Sequence, residues 1–440
     1  MRCTAYRRLP CHVVIAGSLC CAVGACSSGS SSTSPKKPAT GSLTVTITAP
    51  AGVTPSVTVS GPASYHATLS TTQTLAALAA GSYTVTAAST VVTGAIVGTA
   101  YSGTVSGSPA TVAAGDTAAA TVSYAQQPGS GGLWVSSAVN PSTIVEYTAP
   151  QLAASTTAAA TTTIATVSSS AFGEAFDGRG NLWISGYQGN TLMEYAAAQL
   201  AAGGTPTAAV TLTASSGSLS GPLGIAFDSS GNLWVANAGA STVVEFSAGQ
   251  LAAGGSPSPI ITIGASAGSL NFPSALAFDG KGDLWVANDM ANSVVEFTAT
   301  QLATSGAPTP VVTLTAASAS IAGPLGIALD ASGNLWVSNS IAPFSVVKFA
   351  ASRLVASGAP TPAVVLTPNG ASLDGPVGLA FDLGGNLWVA NATAGSVVEF
   401  ATSQLATSGN PVPNVTLGGS SPTGAARLAF NPHASNLPLK

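Results

Sequence analysis

Two patterns of apolar and polar positions divide the chain. Across residues 41–125 the segments "SLTVTITAP", "SVTVSGP", "YHATLS", "GSYTVTAAS" and "AATVSYA" alternate at period two. Pro and Gly interrupt the runs. This pattern predicts strands of a small, half-buried β-sandwich. From Gly131 the apolar runs become shorter and recur. One unit reads "GPLGIAFDSSGNLWVANAGASTVVEFSAGQLAAGGSPSPIITI" (Gly221–Ile263). It predicts strands at "GIAFD", "LWVAN", "TVVEF" and "PIITI", with "SSGN" as a tight turn and "SAGQLAAGGSPS" as a helical turn plus loop. Four antiparallel strands in roughly 50 residues mark a propeller blade.

The period is set by tryptophan. All six tryptophans occupy the same motif, at 134, 183, 234, 285, 336 and 388, spaced 49, 51, 51, 51 and 52 apart. Such a repeat means stacked supersecondary units sharing one continuous core. The first unit, "GGLWVSS", lacks a "GIAFD" strand. The last segment, "AARLAFNPHASN" (Ala425–Asn436), supplies one without its followers. The expectation is an all-β chain with a six-bladed β-propeller over 133–440. The C-terminal strand closes the ring and so removes exposed sheet edges. The sandwich precedes it, joined by a linker over 126–132.

The unit "PLGIAFDSSGNLWVANAGASTVVEF" closely resembles the NHL repeat, and the likeness covers about 310 residues in six copies. It implies the propeller fold. That fold hosts protein- and RNA-binding modules as well as lactonases and lyases, so it does not name a function. In the sandwich, "LAALAAGSYTVTA" resembles PEGA-type and carboxypeptidase-regulatory-like modules. That resemblance implies a spacer or binding role.

Composition adds a cellular address. "MRCTAYRR" is a basic n-region, and "HVVIAGSLCCAVGA" is an apolar segment ending in small residues, the form of a secretory signal. All five cysteines lie in residues 3–26, and "AVGAC" resembles a bacterial lipobox with Val23 in place of Leu. The resemblance implies cleavage of residues 1–25 and lipidation of Cys26. Residues 26–40 then form a Ser/Thr/Pro-rich tether. Two or more acyl chains anchor stably, so the expected location is the cell envelope, lipid-anchored and extracytoplasmic. Ser27 resembles outer-membrane sorting if the organism is diderm. The mature chain has no other cysteine, which excludes disulfides and thiol chemistry. Loss of Arg2, Arg7 and Arg8 takes the formal charge from −4 to −7. The remaining basic residues are dispersed, which argues against nucleic-acid binding.

The acids follow the repeat. Asp177, Asp228, Asp279, Asp330 and Asp382 suit capping of the turn after the first strand. Glu146, Glu194, Glu245, Glu296 and Glu399 occupy the "VVEF" position, with Lys348 in the fifth unit, and suit a solvated outer strand. Asn237, Asn288, Asn339 and Asn391 end the second strand and are candidates to ring one mouth of the propeller. Two residues depart from the repeat on predicted innermost strands. Glu174 replaces Ile or Leu, and Arg427 replaces Gly or Ala. They are expected to meet at a mouth of the central channel as a candidate binding pair.

Metal ligands look poor. No His pair or carboxylate cluster is evident in the propeller, so neither a metal nor a cofactor is expected. No Gly-x-Ser-x-Gly elbow marks a nucleophile, and general acid–base work has one candidate, Glu174. The reading that follows is a non-enzymatic binding or assembly platform for a protein, glycan or small ligand. The alternative is a lactonase-like or lyase-like propeller enzyme.

Overall fold

The computed structural model describes residues 40–431, apart from 94–97, 127–130, 140–141, 166–169, 214–216, 316–319, 371 and 419–423. The signal segment, Cys26 and His433 lie outside the described residues. Among those described, no helix is long and apolar enough to cross a membrane.

The N-terminal module is a two-sheet β-sandwich. One sheet orders its strands Gln73–Ala79, Thr40–Thr48, Thr117–Gln126, Gly98–Ser106 and Thr90–Thr93. The other orders Tyr65–Leu69, Ser56–Gly61, Gly81–Ala88 and Ala110–Val112. Alternation works here as expected. Leu43, Val45, Val57, Val59, Val85 and Val122 point inward and are buried in one core. Tyr83, from the "GSYTV" segment, joins them and donates its hydroxyl to the Ala79 carbonyl at 3.0 Å.

The rest is a propeller of six four-stranded antiparallel sheets among the described residues. Blade 1 consists of Ala425–Asn431, Gly132–Ser137, Thr143–Thr148 and Thr162–Ala165. Its first strand comes from the C-terminal end of the chain and pairs in register, Leu133 with Phe430 and Trp134 with Ala429. The first strands of blades 2 to 6 are Ala171–Phe176, Pro222–Phe227, Pro273–Phe278, Pro324–Leu329 and Pro376–Phe381. Each first strand packs on the next, and Ala425–Asn431 touches those of blades 6 and 2, which completes the ring.

Close approach of the first strands explains their glycines. A Cβ on Gly224 would lie 2.7 Å from the Ala275 Cα of the next blade, a distance that backbone cannot yield. A second closure runs around the rim. The fourth strand of each of blades 1 to 5 bridges a glycine of the next, as at Ile164 with Gly204 and Leu366 with Gly409, and Leu417 of blade 6 meets Thr156 of blade 1.

Tryptophan joins blade to blade. Trp134, Trp234, Trp336 and Trp388 meet Phe176, Phe278, Phe381 and Phe430 of the following blade edge-on, with centroids 6.0 to 6.3 Å apart. Such pairs contribute about 0.5–1.5 kcal/mol each beyond their buried area. The turn aspartates support the same rings. Nε1 of Trp234, Trp336 and Trp388 donates to Oδ2 of Asp228, Asp330 and Asp382 at 3.0 to 3.2 Å. The opposite oxygen caps the turn, as where Asp228 Oδ1 accepts the N–H groups of Ser230 and Asn232.

Candidate functional site

The axis is built by the third and fourth residues of each first strand. The third is small in blades 2 to 6 (Gly173, Gly224, Ala275, Gly326, Gly378) and Arg427 in blade 1. The fourth is aliphatic in five blades (Ile225, Leu276, Ile327, Leu379, Leu428) and Glu174 in blade 2. All of them except Gly378 line one axial cavity. The structure therefore brings Glu174 and Arg427 into the same space, in adjacent blades.

Both are buried, at 6% and 9% exposure. Burial must be offset by hydrogen bonds. Arg427 Nη2 donates to the Ser274 carbonyl at 2.9 Å, and Nη1 donates to the Ala426 carbonyl at 3.1 Å. Ser274 belongs to blade 4, opposite blade 1 in a ring of six, so the guanidinium spans the axis. Glu174 Oε1 accepts the Ser136 N–H at 3.3 Å, whereas its Oε2 is buried without a partner. No direct ion pair joins Glu174 and Arg427 among the described residues, yet each feels the other's charge. Burial holds the Glu174 carboxyl well above the ordinary carboxylate range. The Ser136 N–H and the Arg427 charge draw it partly back. Burial also pulls Arg427 down to about 10, against the pull of Glu174, so the guanidinium stays charged at neutral pH.

Little space remains. The cavity offers about 40 Å³ to water-sized spheres, room for about three waters. Sites for organic ligands run to about 300–1,000 Å³.

The four candidate asparagines are placed differently from the expectation of a mouth ring. Asn237, Asn288, Asn339 and Asn391 are at most 1% exposed. Each Oδ1 accepts a backbone N–H from the loop before the first strand, from Ser220, Asn271, Ala322 and Asp374, at 2.9 to 3.3 Å. Each Nδ2 donates to a carbonyl of the same loop, at Ser218, Ser269, Ser320 and Ser372. A hydroxyl on the third strand takes a further bond. The amides are committed to fastening that loop.

The "VVEF" glutamates also need correction. Glu146, Glu245, Glu296 and Glu399 are buried, at 2 to 7% exposure, rather than solvated, and Glu194 is half-buried. Glu245 lies directly across from Trp234, and Glu296 from Trp285, so these glutamates share the tryptophan face. Both faces of a blade in a ring are covered by neighbouring blades, and alternation alone cannot reveal that. Lys348, the exception, lies over the Trp336 ring at 5.4 Å. Glu245 is pushed up to about 7, first by burial and then by the charge of Asp228, with Asn232 opposing. Glu296 is likewise pushed up to about 7, by burial and then by Asp283 and Asp279, with the Lys281 charge opposing.

That last trio corrects the expectation that the propeller holds no carboxylate cluster. Carboxylate oxygens of Asp279, Asp283 and Glu296 all lie within 4.8 Å of one another. The sequence signal was a single letter, "GDLW" where blades 2, 3, 5 and 6 read "GNLW".

No family model and no curated protein matches the chain. Among solved structures, it is similar to a chain of a nidogen/laminin complex, at 13% identity and TM-score 0.47, over 68% of this chain and 97% of that one. A structure described as a putative 6-phosphogluconolactonase from Bacteroides uniformis gives 13% identity and TM-score 0.45, over 86% and 99%. Virginiamycin B lyase from Staphylococcus aureus, solved with quinupristin, gives 15% identity and TM-score 0.40, over 72% and 85%. Each is a likeness of fold.

Proposed function

We propose that the chain is an extracytoplasmic lipoprotein of the NHL type, lipid-anchored through Cys26, whose propeller is a non-enzymatic binding or assembly platform. A PEGA-like sandwich holds the propeller off the membrane, in the outer membrane if the organism is diderm. Partners are a protein, a glycan or a small ligand at the surface, and not nucleic acid. The observation that carries this reading is the axial cavity. It has room for about three waters, and its guanidinium is tied to two backbone carbonyls. A substrate-sized molecule does not fit beside Glu174, and no third titratable side chain among the cavity-lining residues accompanies the Glu174–Arg427 pair.

One observation favours the alternative, a lactonase-like or lyase-like propeller enzyme. Glu174 offers a buried carboxyl with a raised pKa and an unpartnered oxygen, the profile of a general acid. Turnover decides between the two. The full chain is assayed on small lactones and esters, with and without divalent cations, beside Glu174→Gln. The platform reading expects no turnover that the substitution removes. Turnover that falls at least about a hundredfold in Glu174→Gln, the usual scale of a lost acid or base, establishes the enzyme instead. For the anchor, Cys26→Ser is expected to move the chain from the membrane fraction to the soluble fraction. Unchanged fractionation refutes it.

A further inference from the structure

Asp279 and Asp283 bound the turn "DGKGD" between the first and second strands of blade 4, and Glu296 sits on its third strand. The matching position to Asp283 is Asn181, Asn232, Asn334 or Asn386 in blades 2, 3, 5 and 6. In each, the Asn Nδ2 donates to Oδ2 of the turn aspartate at 2.9 to 3.0 Å. Asp283 removes that donor and puts a third acceptor in its place.

The inner oxygens are accounted for. Asp279 Oδ1 accepts the N–H groups of Lys281 and Asp283, at 2.8 and 3.0 Å, and Asp283 Oδ1 accepts the Ala299 N–H at 2.8 Å. Neither Oδ2 has a hydrogen-bond partner among the described residues. Glu296 is a separate indication. Its side chain is 7% exposed, makes no hydrogen bond among the described residues, and brings an oxygen within 4.8 Å of both aspartates. Three carboxyl groups in so small a space, with the Lys281 charge to set against them, call for a cation.

We propose that Asp279, Asp283 and Glu296 bind one hard divalent cation, calcium, in the place the sister blades give to an asparagine amide. The donors are all carboxylate oxygen, which suits calcium or magnesium and no soft metal. The two aspartates are only half-buried, so water completes the shell. Calcium tolerates such a mixed, irregular shell, whereas magnesium demands a near-ideal octahedron. The site is distinct from the axial pair, and it stands or falls independently of whether the propeller is an enzyme.

The test is terbium luminescence in the full chain, excited through tryptophan and displaced by calcium. Trp285, directly across from Glu296, supplies the sensitiser. One saturable ion is expected, with a calcium dissociation constant of about 0.1–1 mM, the range of extracellular modules. Asp283→Asn restores the sister-blade residue, so it keeps the fold, and is expected to weaken binding at least about tenfold. In blade 3, Asn232→Asp places a third carboxylate beside Asp228 and Glu245 and is expected to add a second bound ion. No saturable calcium uptake up to about 10 mM, or undiminished uptake by Asp283→Asn, overturns the proposal. An ion count unchanged by Asn232→Asp overturns the rule that the third acid makes the site.

Discussion

Arg427 and Ser274 bridge the propeller from opposite sides, with Nη2 of one 2.9 Å from the carbonyl of the other. They are 153 residues apart in the chain, on blades 1 and 4. Ser274 also donates its own hydroxyl to the Pro324 carbonyl of blade 5 at 2.6 Å. The brace therefore ties the closing strand to two blades beyond its neighbours. Hydrogen bonds to charged groups contribute about 1.5–3 kcal/mol. Arg427→Met is expected to destabilise the propeller by about 2–4 kcal/mol, read by urea denaturation. Arg427→Lys keeps the charge but not the fork, and is expected to recover less than half of the loss.

Trp336 is fully buried, stacked edge-on against Phe381, with Nε1 on Asp330. Trp336→Ala leaves a cavity between blades 5 and 6 and is expected to cost about 3–5 kcal/mol. Calorimetry on the variant checks this.

Asn339 fastens its loop by accepting from Ala322 and donating to Ser320. Asn339→Ala strands a buried N–H and a carbonyl, so a loss of about 2 kcal/mol is expected. Any ligand affinity the chain possesses should be unchanged, because the amide has no free group to offer. Binding measured before and after the substitution checks that half.

Glu245 sets a pH dependence. Its folded pKa is raised to about 7, above the unfolded value near about 4.3. A raised carboxyl contributes stability that is full below the unfolded pKa and is lost as pH rises through the folded one. Glu174 acts in the same direction. The propeller melting temperature is expected to fall between about pH 5 and about pH 8, and Glu245→Gln to flatten that fall. Melting curves across the range read it.

The blade plan was legible because period and turn chemistry repeat. Six tryptophans announce six sheets, and the turn aspartates keep their capping role in every copy that has one. Glu174 and Arg427 were legible as departures, since the scaffold has no need of them. Their mutual geometry was not, because it depends on how far a guanidinium reaches across a ring. Asn237 and its sisters were misplaced because an asparagine at a strand end looks the same whether it faces solvent or fastens a loop. Glu245 was misread because alternation tells which face a residue takes, not what covers that face. Asp283 and Glu296 were missed because they lie 13 residues apart on different strands, and one carboxylate oxygen in place of an amide nitrogen barely alters the motif.

The central claim is that the axis is a polar brace inside a scaffold, with Glu174 and Arg427 acting as a unit. A double-mutant cycle on Glu174→Gln and Arg427→Met, by urea denaturation at about pH 8, where Glu174 is the more ionised, measures it most directly. The account predicts a favourable coupling of about 1 kcal/mol or more. Additivity within about 0.5 kcal/mol, the behaviour of independent sites, contradicts it.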